Sequence, residues 1–237
     1  MAYLCCKDSD YMFIVLEGLD GAGKSTQIQY MQAFFEKRGR QVHFIHFPRF
    51  DAPVYGPLIA GFLRGDFGNI QEVHPQLVAL LYAGDRREAA SLIQGWLDRG
   101  HVVIADRYVY SNIAYQCAKL DASEQKEALR NWILQTEFQD FGIPRPQLNL
   151  FLDVPLSFVA AKLAAPRTGD DRRYLEGKAD IHEADLRFQE TVRAEYLVQA
   201  QKDPAFHIIP CGDARGQMLL PEQIFETIIS RSLISIV

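Results

Sequence analysis

Strand-length apolar runs alternate along the chain with segments whose apolar residues recur every three or four positions. "MFIVLE" (12–17) is continuous enough to be a strand buried on both faces. In "STQIQYMQAFFEKRG" (25–39), Ile28, Met31 and Phe35 share one side of a helix that Gly39 ends. "QVHFIHF" (41–47), "HVVIAD" (101–106), "QLNLFLDV" (147–154) and "FHIIP" (206–210) read as four more strands. Between them lie a short helix around "PLIAGFLRG" and a long one over 75–100. "SNIAYQCA" and "EQKEALRNWILQTEF" are helical, and further helices start at Pro155, span about 181–202 and start at Pro221. Strands separated by helices imply crossover connections, hence a five-stranded parallel sheet with helices on both faces.

One stretch breaks the pattern. "APRTGDDRRYLEGKAD", about 165–180, is charged and aperiodic, and it reads as a mobile lid inside a single domain spanning 1–237. Composition fits that picture: with 48% hydrophobic and 23% charged residues, 237 residues bury a full core. A formal charge of −5 argues against a nucleic-acid backbone binder, which needs a basic excess. Cys5, Cys6, Cys117 and Cys211 lack metal-ligand spacing and read as reduced thiols of a cytoplasmic protein. The start, "MAYLCCKDSDYM", has no apolar core of a signal peptide, and no apolar run approaches the roughly 20 residues of a membrane span.

The chemistry begins at the exit of the first strand. Gly18, Leu19, Asp20, Gly21, Ala22, Gly23, Lys24 and Ser25 match GxxxxGK[ST] between a strand and a helix. Glycines let the backbone turn its N–H groups inward, and with the helix start through Thr26 they form an anion site. Lys24 brings a point charge to the β- and γ-phosphates of a nucleoside triphosphate, and Ser25 a hydroxyl ligand for Mg²⁺. A GTPase switch is excluded by the lack of an "NKxD" string.

Ligands of an open parallel sheet bind beyond the carboxyl ends of its strands. There lie Phe47-Pro48-Arg49 and Asp106-Arg107-Tyr108. Arg49 and Arg107 suit bidentate phosphate contact, and Asp106 can hold a metal through its water shell. On the long helix Tyr82 and Arg86 are four residues apart, an aromatic plane beside a guanidinium. Ser111, Asn112 and Tyr115 follow the Asp-Arg-Tyr turn on one helix.

Taken together, "LEGLDGAGKST", "FPRF", "LLYAGDRR" and "DRYVYSNIAYQ" resemble the thymidylate kinases, over about residues 12–210. The resemblance implies a three-layer P-loop kinase fold and transfer of the γ-phosphoryl group of ATP to dTMP, with Mg²⁺. It implies that Tyr82 stacks on thymine, that Arg86 reads a base carbonyl, and that Asn112 or Ser111 contacts the base edge. Tyr115 would exclude a ribose 2′-hydroxyl, Arg49 and Arg107 would hold the monophosphate, and Phe47 would line its site. Asp20 would organise the acceptor end, and family members are usually homodimers. Some members carry an arginine inside the phosphate loop where this chain has Gly21 and Ala22. In members that share this chain's pattern, without the loop arginine, a lid arginine serves instead: Arg167, Arg172 or Arg173, of which Arg173 is favoured. Asp180 and Glu183, in the "DIHE" run, either approach the acceptor or cap the next helix.

A phosphate monoester is largely dianionic near neutrality, its second pKa being about 6, so such an acceptor needs no general base. The rival reading is a deoxynucleoside kinase, whose hydroxyl acceptor would need Glu17 as base. A non-catalytic nucleotide-binding module would have no use for two phosphate-reading arginines and a lid.

Overall fold

The computed structural model describes residues 12–164, 170–177, 180–182 and 186–233, with backbone alone at 163–164, 170–172 and 233. Five strands form one parallel sheet: β1 (Met12–Gly18), β2 (Val42–His46), β3 (Val102–Asp106), β4 (Leu148–Asp153) and β5 (Phe206–Pro210), in the spatial order β2-β3-β1-β4-β5. Every residue of β1 and β3 is buried, whereas the edge strands β2 and β5 keep intermediate or exposed positions. The continuous apolar runs read in the sequence are therefore the sheet's centre. Chain direction across the sheet reverses at β1, and the crevice beyond such a reversal is where ligands lodge.

The helices are α1 (Lys24–Glu36), α2 (Tyr55–Leu63), α3 (Pro75–Leu97), α4 (Val109–Cys117), α5 (Ser123–Gln135), α6 (Leu156–Ala164), α7 (Leu186–Lys202) and α8 (Pro221–Ile228). Helices α1 and α8 pack on each other and on the sheet, while α3, α4 and α7 form a second packed group against it. Between the two groups lies the main core, built on Phe13, Ile14, Leu16, Ile104, Leu150 and Phe151, all fully buried. Each such side chain contributes about 1.5–3 kcal/mol by leaving water. A second, smaller cluster of Ile59, Phe62, Leu63 and Val78 joins α2 to the start of α3. Its closeness depends on Gly84: a Cβ there would sit 2.2 Å from the Tyr55 ring, forcing α2 off α3.

Three local features differ from the sequence expectation. Helix α4 starts two residues early, at Val109, because Tyr108 already turns out of the strand. Helix α5 runs on into a π-helical turn (Thr136–Asp140), in which Phe141 N–H bonds Thr136 O at 2.8 Å. In the lid stretch, Asp170–Leu175 form a 3-10 helix rather than an irregular loop. Leu175 is buried, Tyr174 stacks on Phe50 at 3.8 Å, and Arg64 Nη1 bonds Tyr174 O at 2.7 Å. Two apolar anchors thus dock a segment whose composition reads as solvent-facing.

Candidate active site

At the exit of β1 the chain turns through Gly23, whose φ of 83° lies in the left-handed region that glycine adopts without cost. Gly23 caps α1 without a side chain. The first-turn N–H groups of Lys24, Ser25 and Thr26 have no preceding helical carbonyl, and these residues line a cavity. Lys24 is buried, with Nζ 3.4 Å from Leu19 O and 3.7 Å from Asp106 Oδ1. Burial pulls its ammonium below the usual lysine range, Arg107 adds to this, and Asp106 and Asp20 oppose it. Asp106 is buried too; that alone would raise its carboxyl, but Lys24, His46 and Arg107 hold it low. Its Oδ1 has no hydrogen-bond partner.

Arg107 stands beside this loop at φ 65°, a conformation costing a non-glycine residue about 1–2 kcal/mol. Its N–H bonds Leu16 O at 2.8 Å, which fixes the kink at the end of β3. The guanidinium then reaches Asp20 Oδ1 (2.8 Å), Ser111 Oγ (3.1 Å), Tyr115 Oη (3.3 Å) and Tyr196 Oη (3.4 Å). Beneath it, Glu17 is fully buried and accepts four hydrogen bonds: from Tyr108 N–H, Ser111 N–H, Ser111 Oγ–H and Tyr196 Oη–H, at 3.1, 3.2, 2.5 and 3.1 Å. Burial raises its carboxyl against these lowering contacts. Glu17 does not line the cavity, so it has no open face toward a substrate hydroxyl.

The far end of the cavity is differently made. Tyr82 lines it beside Arg86, Asn112 and Gln116. Arg86 is almost wholly buried and forms a bidentate pair with Glu137, Nε to Oε2 at 2.5 Å and Nη2 to Oε1 at 2.7 Å. Asn112 Nδ2 donates to Glu137 Oε1 and to Ala79 O, both at 3.0 Å. Gln116 Oε1 accepts from Lys119 Nζ at 2.7 Å, and burial pulls that ammonium down to about 7, with Asp180 opposing. Phe50 and Tyr174 stack at the rim, where Tyr174 Oη donates to Asp180 Oδ2 at 2.8 Å. His182 packs among Tyr115, Phe62 and Phe188, and burial holds its imidazole well below the usual histidine range.

One cavity of about 630 Å³ therefore gathers Asp20, Gly21, Ala22, Gly23, Lys24, Ser25 and Thr26 with Phe47, Tyr82, Arg86, Asp106, Arg107, Ser111, Asn112 and Tyr115. Gly18 and Leu19 lie behind the loop rather than on its surface. Arg49 is turned away: its Nε meets Asp85 Oδ1 at 2.8 Å and its Nη2 meets Glu88 Oε2 at 3.3 Å. Ser111 lines the cavity, but its hydroxyl is engaged with Glu17, Tyr196 and Arg107. Arg173 is exposed and is not one of the lining residues. Arg167, the side chain of Arg172 and Glu183 lie outside the described residues. Asp180 accepts from His182 N–H at 2.8 Å and closes a turn, while α7 begins later, at Leu186.

Comparison with known proteins decides the family. The thymidylate kinase family profile matches residues 16–216. The chain is 36% identical over 187 residues to thymidylate kinase of Mycobacterium tuberculosis, covering 78% of this chain and 84% of that one. It is 34% identical over 207 residues to a probable thymidylate kinase of Thermococcus gammatolerans, covering 84% and 87%. Its fold is similar to the solved thymidylate kinase of Candida albicans, with a TM-score of 0.67, 29% identity and coverage of 92% and 91%. The chain belongs to the thymidylate kinase family.

As a thymidylate kinase it is an ATP-dependent nucleoside monophosphate kinase that converts dTMP to dTDP. Against that reaction, the cavity residues absent from the sequence reading are telling. Gln116 stood within the quoted "NIAYQ" string, and His182 within "DIHE". Phe50 and Tyr174 meet across more than a hundred residues, and no local pattern announces their stack. Glu137 sits on a helix that reads as ordinary, 51 residues from Arg86.

Proposed function

We propose that the family's reaction runs in this cavity with the two nucleotides pressed together from its opposite ends. ATP lays its phosphates on the loop surface from Asp20 to Thr26, which Gly18 and Leu19 shape from behind, and Lys24 leaves Asp106 to meet the β- and γ-phosphates. dTMP enters the other end, where Tyr82 stacks on the thymine and Arg86 and Asn112 face its edge. Arg107 turns from Asp20 toward the phosphate being transferred, and Arg173 closes over it on the segment spanning about 165–180. Tyr115, held by Asp20 Oδ2 at 2.9 Å, stands against the sugar. Arg49 reaches the monophosphate only after releasing Asp85.

Ser25 and Asp106 would hold Mg²⁺, and Asp106 Oδ1, which accepts no hydrogen bond and faces only the Lys24 ammonium, fits a metal-bound water once Lys24 moves off. When bound, the ion offsets charge on the phosphate oxygens. Residues 1–237 act as one domain and function in the cytoplasm; among the described residues no helix is long and apolar enough to cross a membrane. The enzyme is a homodimer joined along α3, on which Leu77, Leu80 and Leu92 are exposed.

What carries this reading is the continuity of the cavity, which joins unpaired helix-start amides to a slot lined by Tyr82, Arg86 and Asn112. Phosphorylation of dTMP and of thymidine by ATP, with and without chelator, tests it. Turnover of dTMP alone, abolished by chelation, is the expected result. Equal use of thymidine would restore Glu17 as a base and overturn the assignment.

A further inference from the structure

Glu137 belongs to no motif quoted above, yet its carboxylate touches two residues of the base end at once. It is fully buried, on the π-helical turn that follows α5. Its partner Arg86 carries only donors, so both Glu137 oxygens act as acceptors. Asn112 Nδ2 donates one hydrogen to this carboxylate and the other to Ala79 O, which also can only accept. The amide cannot be turned over: reversed, its oxygen would face two oxygens at 3.0 Å with no proton between them. Asn112 Oδ1 is left buried and without a partner. Arg86 meanwhile spends Nε and one Nη2 hydrogen on Glu137 and keeps its Nη1 hydrogens, on a residue that lines the cavity. The wall thus offers a fixed acceptor beside a fixed donor.

We infer that Glu137 is a specificity-determining positioning residue, which sets the polarity of the Arg86–Asn112 pair so that it accepts a 4-oxo pyrimidine and rejects a 4-amino one. The edge of thymine presents a carbonyl acceptor next to an N–H donor, the complement of that pair. Cytosine reverses both, placing an amino donor against Arg86 and a ring-nitrogen acceptor against Asn112 Oδ1. Buried polar groups left unpaired in this way cost a site far more than a missing methyl would. The inference rests on the assignment of the base to Tyr82, Arg86 and Asn112 made above.

The test is calorimetric binding of dTMP, dCMP and ATP to the full chain and to Glu137→Gln, whose amide can both donate and accept. Expected is a fall of roughly tenfold or more in the ratio of dTMP to dCMP affinity, with ATP affinity unchanged. An equal loss for both pyrimidine nucleotides, or no change, would make Glu137 a structural residue and overturn the inference. Asn112→Ala separates the two layers of argument. If it leaves the ratio untouched, the base is not read at this wall and the site assignment itself fails. If it collapses the ratio while Glu137→Gln does not, the inference about Glu137 alone fails. Should Glu137→Gln not fold, the unaltered protein still decides by nuclear magnetic resonance. Both Asn112 amide hydrogens should stay protected from exchange when dTMP is added, and deprotection would overturn the fixed polarity.

Discussion

The two ends of the cavity hold their charges in opposite ways. At the phosphate end the pairs are loose and exchangeable: Lys24 stands 3.7 Å from Asp106, and Arg107 divides itself among Asp20, Ser111, Tyr115 and Tyr196. At the base end the pairs are closed: Arg86 is bidentate on Glu137, and both hydrogens of Asn112 Nδ2 are committed. Phosphate is recognised by charge, which tolerates rearrangement, so in the proposed reaction the cations at this end are parked on internal partners that a ligand would displace. A base is recognised by the order of donors and acceptors along its edge, and that order has to be built in beforehand.

Removing a cation from the exchangeable end should have the largest effect. Arg107→Ala should lower kcat/KM by on the order of a hundredfold or more, chiefly in kcat, because the group acts on charge that develops during transfer. Unchanged turnover would mean that the loose pairs serve stability alone. At the closed end, Tyr82→Ala should raise the KM for dTMP roughly tenfold through lost stacking and leave the KM for ATP in place. A shift in both constants would show that the two ends are not independent. The change in base preference expected of Glu137→Gln comes next in size.

The last prediction concerns stability rather than activity. Lys119, which donates to Gln116 behind the base end, is brought down to about 7 from 10.5 by burial. Below about pH 7 the folded and unfolded chains both hold this proton; between there and about 10.5 only the unfolded chain does. Stability from this residue therefore rises with pH across that window. Lys119→Met should flatten the rise, read as denaturation midpoints at pH 7.5, 8.5 and 9.5 compared with the parent protein. Parallel slopes would place the ammonium in water rather than over the Phe62 ring, where it lies 4.7 Å from the centroid.

The same contrast governs what could be read from the sequence. The phosphate end is built largely from backbone over consecutive residues, so Gly18 to Ser25 spell it out in order. Apolar runs likewise gave away β1, β3 and β4, because a strand buried on both faces has no polar positions to confuse with a surface helix, while the part-exposed edge strands β2 and β5 were read from shorter runs. Strand order stayed hidden, since the pairing of β1 with β3 and β4 leaves no local trace. Tyr82 and Arg86 were visible through their helical spacing, but the carboxylate that aims Arg86 comes from another helix's end. Arg49 shows the converse. Its place after a strand suggested a phosphate contact, and the Asp85 that holds it lies on α3, beyond any local pattern. The 3-10 helix escaped because two apolar residues dock it within an otherwise charged stretch.

The smaller hydrophobic cluster carries a consequence of its own. Tyr82, Phe50 and Tyr174 all pack against Ile59, Phe62, Leu63 and Val78, so the ring proposed to stack on the thymine also belongs to the rim of a core with few members. A thymine placed there as proposed would add apolar contact to that small core, so that nucleotide and protein complete one another's burial. The loaded molecule should accordingly melt later than the empty one, by about 2.7 kcal/mol of added stability when free dTMP stands a hundredfold above its dissociation constant.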